Sequence, residues 1–413
     1  MIVGAGPGGS AAAYYLAQGG LDVLLLDKFD FPRAKTCGDG LMPLALTVLA
    51  DMGLLADLSR QSCRVEKLDV FAPNGQVTTA TLPKQADRPD YALVVPRLIL
   101  DQALYERAVS QGAKFAGKVK VTGVEVEGQT VTLTGRRERR SFEARGRVAI
   151  IATGASTGLL RRAGIFTQDP RRMMVAARAY FEDEAELNDH LRFYFAGVPL
   201  PGYGWVFPLP GGRANIGACV FRTGWHTPRL TTPPAAVFEQ FIQIPPLQAL
   251  LAQARQLGPA KGYPLRIDFG TAPTYGDRVL LVGEAAGLVN PLTGEGIDYA
   301  LESGRMAAAY LLEQFAVGSF SPEQFAGYDQ RLRERFENLF RFCYRMQGFL
   351  RRPLLNRLVK AANRHTDLQR LLVEVVQGQQ AVTQSITPRV VLKSLLALAT
   401  SDFSGSCLGN FWP

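Results

Sequence analysis

The first twenty-seven residues leave this chain little freedom in how it can fold. Residues 1–3 are apolar, 4–9 read Gly-Ala-Gly-Pro-Gly-Gly, 10–18 are alanine-rich and stop at Gly19-Gly20, and 21–26 are apolar and end on Asp27. This pattern predicts a strand, a tight turn, a helix and a parallel strand. In the G-x-G-x-x-G turn, Gly4 permits the sharp reversal, Gly6 lets the backbone approach a pyrophosphate, and Gly9 lets the helix lie close on the strand. The helix N-terminus then offers free N–H groups and the positive end of its dipole to phosphates. Asp27, at the end of the second strand, is placed to hold ribose hydroxyls. A plain glycine turn would leave that acid without a purpose, so the unit is expected to bind a dinucleotide. The first strand is shorter than a central strand usually is, which suggests that a few native residues precede this start.

Beyond Asp27 the loop FDFPRAKTCGDG leads to an apolar helix over 41–52. The segment LDVFAPNGQVTTATL alternates like two paired strands around Asn74-Gly75, a hairpin turn signal. Residues 98–110 predict a helix, 118–151 a strand-rich stretch turning near Gly128 and Gly135, and 172–222 a second sheet. Residues 278–304 return to strand–turn–helix chemistry. After Pro322 the chain predicts helix, with Phe325, Tyr328, Leu332, Phe336, Leu339, Cys343, Met346 and Leu350 along one face.

Composition narrows the class. A 413-residue chain with 47% hydrophobic and 20% charged residues is globular and long enough for two or three domains. No window reaches the roughly 18 apolar residues of a membrane span. The immediate start on a glycine motif leads us to expect no signal peptide and a cytoplasmic protein. Cys37, Cys63, Cys219, Cys343 and Cys407 form no CxxC pair, and His190, His226 and His365 are scattered, so neither a zinc site nor a disulfide framework is expected. Of those cysteines, all but Cys37 are read as structural. Residues 331–413 hold 13 Lys and Arg against 5 Asp and Glu, while the rest is nearly neutral. That asymmetry suits an anionic lipid surface or merely a solvated basic face; without a recognisable nucleic-acid module, nucleic acid is not expected as partner.

Three segments carry a family resemblance: FPRAKTCGDG at 31–40, PGYGWVFPL at 201–209 and GEAAGLVNPLTGEGIDYALESG at 283–304. In this order and spacing the chain resembles the flavin-dependent geranylgeranyl reductases, including menaquinone-type polyprenyl reductases, within the para-hydroxybenzoate-hydroxylase-like flavoproteins. The resemblance implies an α/β fold. A discontinuous Rossmann-like FAD-binding domain (1–64, 88–170, 262–322) would be joined to an antiparallel β-sheet substrate domain (65–87, 171–261) and a helical basic C-terminal extension (323–413). It implies that Gly4, Gly6, Gly9 and Asp27 bind the ADP half of FAD, and that Lys35, Cys37, Arg97 and Gly154 reach the cofactor. Glu284 would face the ribityl chain, and Gly294 to Gly296 would turn backbone N–H groups to the flavin pyrimidine edge. Glu284 stands where Asp is commoner, and Thr153 stands where flavin hydroxylases usually carry Asp; the second departure weakens a hydroxylase reading.

Cys37 lies in the loop expected beside the flavin, where it could line the active site or simply fill space as a small buried side chain. Tyr203, Trp205 and Phe207 alternate on a strand and so share one face. If that face meets the flavin, it forms an aromatic slot for an isoprenoid chain; otherwise it is ordinary sheet core. Together these features point to reduction of prenyl double bonds. Cys37, Tyr203 and Trp205 would line the site, and the substrate would be a prenyl lipid or prenyl diphosphate. There is no second G-x-G-x-x-G domain, so NAD(P)H or a ferredoxin-like carrier is expected to supply electrons from outside. The basic C-terminal region would lie peripherally on an anionic membrane face, although its apolar stripe could equally pack on the flavin domain. The rivals are a flavin monooxygenase or halogenase of the same fold, and a flavin- and lipid-binding protein without turnover. Halogenases of this class resemble WxWxIP, whereas Tyr203 and Phe207 replace the first Trp and the Ile here.

Overall fold

The computed structural model describes residues 1–84, 88–166, 172–182, 190–221, 232–318, 320 and 322–376. His226, Cys407 and the 377–413 part of the helical extension lie outside the described residues. Ile2–Val3 occupies the interior of a six-stranded sheet. Its order is Tyr275–Gly276, Val279–Leu281, Ala149–Ile151, Ile2–Val3, Leu24–Leu26 and Lys114–Ala116. Every neighbouring pair is parallel except Tyr275–Gly276 with Val279–Leu281. Strands covered on both faces need continuous apolar sequence, which Leu24-Leu25-Leu26, Ala149-Ile150-Ile151 and Val279-Leu280-Leu281 supply. The first helix is Pro7–Gln18 and starts earlier than the alanine run suggests. Proline at the first helical position has its φ preset and no N–H to satisfy, and Gly6 serves as N-cap. This helix packs on Ile297–Val317, and glycine is what lets them approach: a Cβ on Gly304 would come within 2.3 Å of the Gly8 carbonyl oxygen.

The strand-rich stretch is an antiparallel meander of Val119–Glu127, Thr130–Arg137 and Arg140–Gly146. The turn at Gly128 is present, but Gly135 does not turn the chain. It sits inside Thr130–Arg137 at a register shift, where a Cβ would lie 2.3 Å from the Lys120 carbonyl oxygen. The glycine is there for a bulge rather than a hairpin.

The second sheet has seven strands: Arg255–Arg266, Met173–Glu182, Arg213–Phe221, Tyr203–Leu209, His190–Tyr194, Lys67–Phe71 and Val77–Thr81. It is antiparallel except where Lys67–Phe71, contributed from far upstream, joins His190–Tyr194 in parallel. The Asn74-Gly75 hairpin forms as read, with Gly75 at φ +85°. One face carries Tyr194, Val206, Ile216 and Ala218 and is covered by Pro234–Ile242 through Val237, Phe238 and Phe241. Gly204, between Tyr203 and Trp205, lies under the Phe241 ring, which a Cβ would enter at 2.2 Å. The other face carries Phe193, Tyr203, Trp205 and Phe207 toward the 35–40 loop.

The apolar stripe after Pro322 forms Pro322–Met346 and is consumed inside the protein. Phe325, Tyr328, Leu332, Phe336, Leu339 and Cys343 are buried in the core built around the six-stranded sheet. Tyr328 Oη donates to the Leu281 carbonyl at 3.0 Å. That stripe is therefore a packing face, and it is not a membrane face. Arg352–Ala362 and Thr366–Val376 lie along the edge strand Val77–Thr81. Asn363 Nδ2 donates to the Val77 carbonyl at 2.8 Å, covering an edge that would otherwise invite another strand. No helix among the described residues is long and apolar enough to cross a membrane.

Candidate active site

The dinucleotide turn is built by steric exclusion. Gly4 has φ +106°, and a Cβ on it would lie 2.4 Å from the Ala152 carbonyl oxygen. A Cβ on Gly9 would lie 1.8 Å from the Gly4 carbonyl oxygen. Gly6 differs, since a Cβ there would meet only Arg33 Nη2, at 3.6 Å. Asp27 is held ready by backbone donors, Ala5 N–H at 2.9 Å and Phe29 N–H at 3.0 Å. Arg33, 3.7 Å from Asp27, reaches Asp101 at 3.0 Å, and its buried Nε has no partner.

Arg97, 3% exposed, makes a two-pronged pair with Asp101 at 2.6 and 2.8 Å, one turn along Arg97–Ser110. Burial opposes the charge on Arg97, but the Asp101 carboxylate holds it firmly protonated. Burial, then the neighbouring Arg97, lowers the Lys35 ammonium, while Glu284 works the other way. Burial raises the Glu284 carboxyl, against Lys35 and against the Arg266 N–H that it accepts at 3.1 Å. Gly154, at φ +63°, sits between them. A Cβ there would stand 3.5 Å from Glu284 Oε2 and 3.8 Å from Lys35 Nζ. Lys35, Cys37, Arg97, Gly154 and Glu284 are thus brought into one cluster, with Arg97 and Glu284 buried and the other three half-buried.

The 35–40 loop joins that cluster to the second sheet. The Cys37 carbonyl accepts Arg178 Nε at 3.2 Å and Asn215 Nδ2 at 2.7 Å. Asp39, fully buried at φ +66°, accepts Tyr180 Oη at 2.7 Å, Asn215 Nδ2 at 2.8 Å and Arg97 N–H at 3.3 Å. Trp205 Nε1 donates to Asn215 Oδ1 at 3.1 Å, and the indole ring lies over Gly217, where a Cβ would be 2.2 Å away. Gly38 lies against Trp205 and Phe207. Tyr203 Oη donates to the Thr293 carbonyl, and Gly294, at φ +68°, faces Met174 and the Tyr203 hydroxyl.

Gly294 is also engaged within its own turn. Its N–H donates to the Asn290 carbonyl at 2.9 Å, and Glu295 N–H reaches Thr293 Oγ1 at 3.4 Å, so the turn itself uses these donors. Gly296 is the N-cap of Ile297–Val317. Arg33, Asp39, Asp101 and Asn215 join the candidate site without having been expected there, as does Tyr263, whose ring lies 4.6 Å from Lys35 Nζ. Asp101 had a signal, four residues beyond Arg97 on a helix; Asn215 and Tyr263 had none.

Glu295 and Asp298 form a buried carboxyl pair. Burial pushes Asp298 up to about 6, against hydrogen bonds from the Ala45 and Met42 N–H groups at the start of Pro43–Asp51. Burial and Asp298 push Glu295 well above the usual range. A raised native pKa favours folding below the unfolded value, and that advantage is lost as pH rises through the native one. The stability advantage of wild type over Asp298→Asn is therefore expected to be largest near pH 4 and to shrink across pH 6. Thermal melts that differ by a constant amount over that range would count against it.

The glycine turn, Asp27 and a second sheet closing on a cationic cluster around the buried Arg97 define a flavoprotein of the two-sheet type. Its residues fit FAD: Gly6 leaves the helix N-terminus open to a pyrophosphate with no side-chain cap. Residues 1–342 match the FAD-binding domain family, and the chain belongs to it. It is 35% identical over 321 residues to the menaquinone reductase of Mycobacterium tuberculosis, covering 75% of this chain and 76% of that one. It is 29% identical over 394 residues to digeranylgeranylglycerophospholipid reductase 1 of Methanopyrus kandleri, covering 90% and 96%. The solved structure of a geranylgeranyl bacteriochlorophyll reductase-like protein from Thermoplasma acidophilum superposes with a TM-score of 0.76 at 25% identity, covering 95% and 94%. Solved flavin-dependent halogenases at 18% and 21% identity share the fold alone. The protein is an FAD-dependent oxidoreductase.

Proposed function

We propose that this chain reduces carbon–carbon double bonds in a geranylgeranyl or longer polyprenyl chain. The observation that carries the reading is the aromatic face of Tyr203, Trp205 and Phe207, set against the 35–40 loop that also carries Lys35 and Cys37. An isolated prenyl double bond has no carbonyl to polarise it, so the protein must contribute alignment and exclusion of water. Reduced FAD, when bound, supplies the hydride. Gly4, Gly6, Gly9 and Asp27 hold its ADP half, Lys35, Arg97, Gly154 and Glu284 line its other end, and the 294–296 turn borders it. Tyr203 and Trp205 wall the substrate slot, and Cys37 lines it. The proposal assigns cofactor binding to 1–64, 88–170 and 262–322, and the slot to 65–87 and 171–261. NAD(P)H or a ferredoxin-like carrier recharges the flavin, and the positive charge of the C-terminal region suits an anionic membrane surface where such substrates reside.

The test is anaerobic. Chemically reduced protein is mixed with geranylgeranyl diphosphate or a menaquinone, and flavin reoxidation and product mass are followed. Reoxidation with a gain of two hydrogens per double bond is the expected result. A flavin that stays reduced until oxygen enters would sink the reading and favour a monooxygenase. Trp205→Phe is the matching variant, because truncation to alanine would open a buried cavity costing about 3–5 kcal/mol. It is expected to keep its flavin and to lose roughly tenfold in prenyl turnover, as the lost indole N–H frees Asn215 beneath the loop. Unchanged turnover would remove Trp205 from the slot.

A further inference from the structure

The positive charge of the C-terminal region is not evenly available. Along Pro322–Met346, Arg331, Arg333, Arg335 and Arg341 meet Glu313, Asp329, Glu302 and Glu337 at 2.6, 2.7, 3.4 and 2.8 Å. Arg345, Arg351 and Arg352 are exposed and make no ion pair among the described residues. Between them the turn Gln347–Phe349 leaves Phe349 57% exposed. Charge is therefore spent internally along the helix and left free at its end, around an aromatic ring facing solvent.

This corner is fastened to the candidate active site. Gln347, 5% exposed, donates through Nε2 to the Pro291 carbonyl, and the Tyr203 hydroxyl donates to the Thr293 carbonyl two residues on. One short loop thus holds the cationic corner on one side and the aromatic wall on the other. A cavity of about 140 Å³ opens beside it, lined by Pro291, Ile267, Phe340, Arg341 and Tyr344 among others.

We propose that Arg345, Phe349, Arg351 and Arg352 form the seat of this protein on an anionic lipid bilayer, bringing the 291–293 loop to the surface from which the substrate enters. The proposal rests on the prenyl-lipid reading above. An aromatic ring settles at the headgroup level while guanidinium groups pair with lipid phosphates. With the buried stripe of Pro322–Met346 unavailable, this small corner is, among the described residues of that region, where an exposed aromatic ring and unpaired guanidinium groups lie together.

The experiment uses the full-length, flavin-loaded protein and sedimentation with vesicles of phosphatidylcholine alone or with added phosphatidylglycerol. Wild type is expected to sediment with the anionic vesicles only, and less so as salt is raised. Arg345→Gln/Arg351→Gln/Arg352→Gln should lower partitioning on the order of a hundredfold, and Phe349→Ser roughly tenfold. Flavin content, melting temperature and turnover of geranylgeranyl diphosphate in solution should be unchanged in both, while turnover of a menaquinone embedded in vesicles falls. Wild type that reduces the soluble substrate yet does not sediment, or variants that bind as wild type does, would overturn the proposal. Binding indifferent to lipid charge would do the same. Sedimentation with anionic vesicles but no turnover of either substrate would instead defeat the prenyl-reductase reading and leave the docking corner standing.

Discussion

Gly9→Ala is expected to yield a protein without flavin and with a much reduced melting temperature, whereas Gly6→Ala should fold normally and lose only cofactor affinity. The two glycines belong to the same motif but do different work. At Gly9 the added carbon would stand 1.8 Å from the Gly4 carbonyl oxygen and 3.1 Å from Ala152 Cβ. Neither neighbour is a flexible side chain, so the helix must lift from the first strand, at a cost of about 3 kcal/mol or more. At Gly6 the new carbon would meet only the end of Arg33, at 3.6 Å, so the fold is untouched. The methyl group would instead project where a pyrophosphate must approach. Flavin absorbance after purification, set beside thermal melts, separates these outcomes. A Gly6→Ala protein that melts early, or a Gly9→Ala protein that keeps its flavin, would show that the roles are wrongly divided.

Removing Asp101 should be nearly as damaging. This fully buried carboxylate receives both prongs of Arg97 and also Arg33 at 3.0 Å. Asp101→Ala leaves the enclosed Arg97 guanidinium without its counter-charge and Arg33 with only Asp27, at 3.7 Å, a change that costs about 3–5 kcal/mol. At roughly 2–4 °C per kcal/mol for a domain of this size, the melting temperature should drop by about 6–20 °C. Arg97→Lys should not substitute, because an ammonium cannot engage both carboxylate oxygens in the same plane. The double variant Arg97→Met/Asp101→Leu tests whether the pair serves stability or the site. With both charges gone the melting temperature should recover in part, but flavin affinity should stay low, because the cation beside Cys37 is missing. Full recovery of flavin binding would reduce the pair to a packing element.

The sequence was informative where the chemistry is local. The turn at 4–9 and Asp27 lie within one supersecondary unit, and their glycines have few other uses. The shared face of Tyr203, Trp205 and Phe207 follows from the two-residue period of a strand and needs no tertiary information. The anchoring of the 35–40 loop was not legible, because Asp39 finds Tyr180 and Asn215 well over a hundred residues away. Nothing in the neighbourhood of either partner announces the pairing. The stripe of Pro322–Met346 shows the same limit. Periodicity revealed that one side of the helix is apolar, but it carried no information about the partner, which is the core around Phe269 and Tyr299. Gly135 shows it locally, because a glycine in a strand-rich segment signals a bulge as readily as a turn, and here it is a bulge.

The contact between Gly8 and Gly304 also bears on how the protein is made. These two backbones touch across roughly three quarters of the chain, and the helix that seals the same core follows still later. During synthesis the N-terminal segment must therefore emerge and wait, its apolar helix face uncovered, until most of the polypeptide has left the ribosome. Such long-range closure is slow and prone to misassociation. Truncations that stop before residue 304 should accordingly accumulate as chaperone-bound or insoluble material, and the cofactor cannot rescue a nascent chain that has not yet made the second wall of its site.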